Sequence, residues 1–274
     1  MTARWHALAH VALFLLGSAA WVAVLGVTAA VVAIALGLDP ERPEDLGGAA
    51  LGVLSVAQTL GMTGLALALG SRLPSGDGAP GWRGVFPLGA RGGWWAVGLL
   101  AGLTVWTFPS WLAEQLGTFV QTETLTVIAR GLTSGGPAER LTLAFAVAVA
   151  APVLEELVFR GYVWRALEAH VGGLAALVGS TLLFCAYHLD PVQSVALLPT
   201  AAVLGWLRLR SGSVLPSIVA HFVNNALGVA LAGVETSLPG WAAVGGAVAT
   251  LAILGVAERA GVVSSAAPAT TPPR

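Results

Sequence analysis

The chain has 274 residues, 56% of them hydrophobic and only 10% charged, with a mean hydropathy of +0.82; soluble domains carry roughly 25% charged residues. Such a composition excludes water as the main solvent of the fold. A formal net charge of -1, with 13 basic residues that are all arginine and form no run, excludes a phosphate-gripping surface and with it nucleic acid as a partner.

A helix crosses a bilayer when about 20 predominantly apolar residues, rising 1.5 Å each, match a hydrocarbon core about 30 Å thick. The first such segment lies within Ala7 to Leu38. It is too long for the apolar core of a signal peptide and reads as a retained, tilted helix, with His10 at its interfacial start. A polar turn from Asp39 to Gly48 leads to a second span, Ala49 to Leu69, in which Gln58 is the only strongly polar interior side chain. The composition of Leu73 to Gly93, rich in Gly, Pro and Arg, says loop. Trp94 to Leu112 is the third span; Pro109 bends its end, and Gly98-x-x-x-Gly102 permits close helix packing.

Glu114 to Arg140 mixes polar residues with a short apolar periodicity and is expected to lie along the membrane surface or loop over the bundle without crossing it. Leu141 to His170 follows as one long helix that turns polar at Arg165, Glu168 and His170, with a kink or loosened backbone at Pro152. Gly173 to Leu189, Val192 to Leu209, Val214 to Val234 and Leu238 to Ala257 complete eight spans, joined by turns at Asp190-Pro191, Ser211-Gly212-Ser213 and Pro239-Gly240. The tail after Glu258 is expected to be disordered. Cys185, without a second thiol or a neighbouring Cys or His at ligand spacing, reads as a small buried hydrophobe.

These elements predict an all-α polytopic transmembrane bundle of about eight spans, so that an active site would lie inside the bundle. A closed barrel would need alternating strands, and none are present in the sequence. Residues 1–140 form N-terminal helices and loops, 141–234 the segment that would hold a catalytic core, and 235–274 a last helix and tail. With the N-terminus cytoplasmic, ten arginines fall on that side, and only Arg42, Arg130 and Arg140 fall outside. Both termini are therefore assigned to the cytoplasm of a multi-pass cell-membrane protein.

Ionisable side chains inside a span are costly and by default face the interior and act there. Here they form three clusters on successive polar-bearing spans. In the first, Glu156 and Arg160 are four apart and share a helix face, while Glu155 points about 100° away. Arg160 is thus able to neutralise Glu156 and leave Glu155 as a free carboxylate, a candidate general base. In the second, His188 lies as far beyond the Val171-Gly172 turn as Glu155 lies before it. That places the two at one depth with room for a water between them. Phe184, one turn from His188, packs beside the site. In the third, His221 and Asn225 point the same way and offer donors to an oxyanion.

The order Glu-Glu-x-x-x-Arg, Phe-x-x-x-His, His-x-x-x-Asn resembles the CAAX protease and bacteriocin-processing (CPBP, or Abi) family of intramembrane proteases, which includes the type II CAAX prenyl endopeptidases. The resemblance covers Ala151 to Gly228, with Ala151-Pro152-x-x-Glu155-Glu156-x-x-Phe159-Arg160-Gly161 and Ser211-Gly212-Ser213 before Pro216 also in the family's pattern. It implies that Glu155 and His188 activate water, that His221 and Asn225 form the oxyanion site, and that Glu156 with Arg160 braces the helix. It also implies a lipid-embedded or lipidated peptide as substrate. Glu155, His188 and His221 would form a two-His, one-carboxylate set for zinc. The absence of a His-Glu-x-x-His motif and the presence of Asn225 favour a metal-free glutamate protease with no cofactor. Two other readings compete with it: a catalytically silent scaffold or bacteriocin-immunity protein, and a transporter, which would call for inverted repeats that the sequence lacks.

Overall fold

The computed structural model describes residues 2–39, 47–73, 85–89, 93–120, 123–234 and 237–260. Most of the Asp39–Gly48 turn, much of the Leu73–Gly93 loop and the tail beyond 260 lie outside them. In chain order the helices are α1 (Thr2–Ala35), α2 (Gly47–Gly70), α3 (Trp94–Val105), α4 (Thr107–Gly117), α5 (Glu123–Ser134), α6 (Pro137–Val171), α7 (Gly173–Tyr187), α8 (Pro191–Ala196), α9 (Leu198–Ser211), α10 (Leu215–Leu231) and α11 (Gly240–Arg259). Among the described residues there is no strand. The molecule is a polytopic helical bundle.

Five stretches are long and apolar enough to cross a membrane: Ala9–Ala35, Gly47–Gly70, Trp94–Gly117, Pro137–Val171 and Gly240–Arg259. Two shorter apolar helices, α7 and α10, lie between them in the chain. The sequence differs from the structure mainly where proline acts. The expected span Val192 to Leu209 is two helices, α8 and α9, broken at Leu197, because Pro199 has no N–H for the carbonyl of Val195. By the same mechanism Pro109 leaves the Val105 carbonyl without its helical donor, and α3 gives way to α4 at Trp106. The helix expected from Leu141 begins instead at Pro137, where a missing N–H costs nothing in the first turn. Its first-turn Glu139 accepts a 2.6 Å hydrogen bond from the backbone N–H of Gly48, tying α6 to the start of α2. Part of the stretch expected at the membrane surface is the separate helix α5.

One apolar cluster joins Phe14 of α1, Met62 and Ala66 of α2, Phe159 and Tyr162 of α6, and Phe184 of α7. A second joins Trp94 and Ala101 of α3, Leu204 of α9, Ala220 of α10 and Leu254 of α11. The Gly98 and Gly102 pair sets how closely α3 approaches α10. A Cβ on Gly98 would lie 2.4 Å from the carbonyl oxygen of Pro216, and one on Gly102 would lie 2.5 Å from that of Ala220. The loop before α3 is also structural: Val85 is buried against Gly70, and the Pro87 carbonyl accepts from the Val214 N–H at 2.8 Å and the Ser213 hydroxyl at 3.0 Å. This pins the entry of α10. Close passage of that loop also accounts for Gly161, where a Cβ would meet the Val85 carbonyl oxygen at 2.9 Å.

Candidate active site

The site is built around two distortions of α6. Residues Ala146–Ala150 and Leu157–Val163 are π-helical and bracket Pro152, Glu155 and Glu156. Wide turns of this kind are rare and recur at functional sites. The expected loosening at Pro152 therefore takes the form of π turns, and its cause is local. The Ala151 N–H bonds to the Ala146 carbonyl, five residues back. The next donor in that register is residue 152, a proline, which has no N–H and leaves the Val147 carbonyl without one. Asn225 Nδ2 on α10 donates to it at 2.9 Å.

Arg160 and Glu156, both fully buried, form a 3.0 Å ion pair across one helical turn. The same Glu156 oxygen lies 3.0 Å from Nδ1 of buried His221. Arg160 also donates to the Ala201 carbonyl at 2.9 Å, and its guanidinium stacks 4.5 Å over the ring of Phe184. Glu156 is thus held from two sides. Its neighbour Glu155 is partly exposed and makes no hydrogen bond or ion pair among the described residues, while remaining in electrostatic reach of Arg160 and Tyr187.

His188 closes the C-terminal end of α7. Its Nδ1 lies 3.0 Å from the Phe184 carbonyl oxygen, which only accepts, so the proton sits on Nδ1 and Nε2 presents a lone pair. The chain then reverses through Leu189, the one non-glycine residue with positive φ (54°) among the described residues. Asp190 caps α8 by accepting from the Gln193 N–H at 2.9 Å, and Ser194 donates to the Cys185 carbonyl at 2.9 Å. Phe184 meets both imidazoles edge-on, with centroids 5.0 Å from His188 and 5.7 Å from His221. One ring therefore sets the spacing of three polar groups.

The structure gathers Glu156, Arg160, Phe184, His188 and His221 through direct contacts, with Glu155 adjoining them, and it joins Asn225 to α6. No hydrogen bond joins Glu155 to His188 among the described residues. The α6–α7 turn falls at Gly172, φ +82°, but the π segment between Glu155 and that turn means that equal residue counts do not give equal heights. His221 and Asn225 are not two idle donors either, since Glu156 engages one and Val147 the other. Two features had no role in the sequence reading, the Asn225–Val147 bond and a hydrogen bond from Gln58 of α2 to the hydroxyl of Tyr187. A lone polar residue in an apolar span was the available signal for Gln58.

Residues 137–227 match the family model for type II CAAX prenyl endopeptidase Rce1-like proteins. That segment is similar to the type II CAAX prenyl endopeptidases. No curated protein and no solved structure matches the chain. The matched segment opens at the first residue of α6 and ends in α10 just past Asn225, so it contains every polar group of the site described above except Gln58. The match supports an intramembrane endopeptidase of the CAAX type, and the apolar helices around it make the chain a multi-pass membrane protein.

Proposed function

We propose that this protein hydrolyses a peptide bond of a membrane-associated peptide or protein, with Glu155 as the general base. The observation that carries the reading is the division of labour between adjacent carboxylates: Glu156 is consumed by Arg160 and His221, and Glu155 is left without a hydrogen bond or ion pair among the described residues. In this mechanism a water held between Glu155 and His188 Nε2 attacks the scissile carbonyl carbon as Glu155 takes its proton. The oxyanion that forms is met by the second N–H of Asn225 and by His221. Collapse breaks the C–N bond, and the proton on Glu155 passes to the leaving amine.

The His221 contact adds a condition. An ionised carboxylate only accepts, so His221 Nδ1 carries a proton toward Glu156, and Nε2 donates to an oxyanion only when the ring is imidazolium.

The mechanism is written without a metal. Glu156 already occupies His221 Nδ1. Full cleavage in the presence of a strong chelator is the matching outcome. The proposed substrate is a membrane-embedded or lipidated peptide, reached from a bilayer in which both termini of the chain face the cytoplasm. Membrane peptides from cells carrying the parent protein and Glu155→Gln would be compared by mass spectrometry. Products absent from the variant, which still inserts and folds, support the reading. Products retained in the variant overturn it, and would favour a silent scaffold if the parent's phenotype persists as well.

A further inference from the structure

Each π segment of α6 leaves one backbone carbonyl without a helical donor, because a return from five-residue to four-residue steps passes over one oxygen. In the first segment that oxygen belongs to Val147, and Asn225 meets it at 2.9 Å. In the second it belongs to Arg160. An α-helix would pair the Arg160 carbonyl with the Trp164 N–H, but that N–H bonds to the carbonyls of Phe159 and Gly161 on either side of it, and the helix is α again from Trp164. The donor that reaches the Arg160 carbonyl is Nε of Arg208 on α9, at 2.9 Å.

Arg208 is built into the bundle. It is 6% exposed, and its guanidinium lies 5.3 Å over the ring of fully buried Trp164. Helix α9 grips Arg160 a second time two turns earlier, where the Ala201 carbonyl accepts from the Arg160 guanidinium at 2.9 Å. Ala201 and Arg208 are seven residues apart and share a face of α9. One face of α9 therefore satisfies both the main chain and the side chain of the residue that pairs with Glu156. Without a donor from outside, the second segment would favour the α register, in which each carbonyl finds an N–H four residues on. Closing it by one residue would turn Glu155 and Glu156 by about 100° relative to the half of α6 that follows Trp164.

We infer that Arg208 is a positioning residue for the two carboxylates: by donating to the Arg160 carbonyl it holds the second π turn open, and the open turn sets the direction in which Glu155 and Glu156 face. The consequence for cleavage rests on the reading of Glu155 as general base; the consequence for the helix does not. What Arg208 supplies to α6 is one N–H at the Nε position. Glutamine carries an amide nitrogen the same number of bonds from the backbone, whereas methionine has a similar length and no donor.

The test compares Arg208→Gln and Arg208→Met in crystal structures of the full chain grown from lipid, and in the membrane-peptide products of cells carrying each variant. Arg208→Met should wind Leu157–Val163 into α-helix and lower product formation by about 10²-fold, the scale of a misplaced catalytic group. Arg208→Gln should keep the π turn and the parent's products, although it lacks the charge. A π turn that persists in Arg208→Met overturns the inference, as do parental product levels in a variant whose turn has closed. If Arg208→Met does not accumulate, Arg208→Gln decides: retention of the turn and products supports the inference, and loss of either, or failure of this variant also to accumulate, overturns it. The turn is read without substrate. A turn lost in Arg208→Met while Glu155→Gln retains the parent's products would reject the protease reading and leave the hold of Arg208 on α6 standing.

Discussion

Helices α1 and α6 are almost equal in length, 34 and 35 residues, and are held in place by different physics. Only 11% of the apolar window of α1 is buried, and it presents Leu13, Leu16, Val24, Val27, Val31 and Ile34 outward, as a helix in lipid requires. In α6 the share is 44%, and the buried set includes a carboxylate, a guanidinium and two π-helical segments. Lipid tails solvate α1 along nearly its whole length, so its sequence needs only to be apolar. For α6, each polar group demands a partner from another helix, and those partners fix its position.

That contrast fails if α6 tolerates loss of a partner as α1 tolerates loss of a methyl group. The largest expected effect is on Glu156→Ala, which leaves buried Arg160 without its counter-charge; removing one partner of such a pair costs about 3–5 kcal/mol. Thermal unfolding in detergent should show this as a large drop in midpoint, or as failure to accumulate. Asn225→Ala comes next. It orphans the Val147 carbonyl, at about 1–3 kcal/mol, and on the proposed mechanism it removes an oxyanion donor, which lowers kcat by about 10²–10³. Normal stability together with unchanged turnover would count against both roles of Asn225.

Gly102→Ala sharpens the comparison by disturbing the site from a distance. A methyl group 2.5 Å from the Ala220 carbonyl oxygen pushes α3 from α10, one residue from His221. Overpacking of this kind costs about 1–3 kcal/mol, and the predicted signature is reduced cleavage together with a lowered unfolding temperature. The smallest effect belongs to α1: Leu16→Ala, at a lipid-facing position 69% exposed, should stay within about 0.5 kcal/mol. A loss there comparable to that of Glu156→Ala would show that the Leu16 face of α1 is also packed against protein.

Much of the fold was legible in the chain because hydrophobic length is a local property. Runs of apolar residues fix helices α1, α2, α7, α10 and α11 to within a few residues, since a bilayer leaves the backbone little choice but to bond to itself. Helix periodicity was also enough for the Glu156–Arg160 pair, because residues four apart share a face wherever the helix is packed. Proline was underread at Pro199. A window average over Val192 to Leu209 remains apolar while one missing N–H divides the helix.

Only tertiary structure decided what the polar groups do to one another. His221 and Asn225 look like an equivalent pair in the sequence, yet one meets Glu156 and the other a carbonyl stranded by Pro152. Likewise nothing local in α2 connects Gln58 to Tyr187, and nothing in the Gly-rich loop announces that Pro87 will hold the start of α10. The physical reason is range. Burial in lipid is determined residue by residue along the chain, whereas satisfying a buried donor or acceptor depends on which distant backbone or side chain arrives within 3 Å of it.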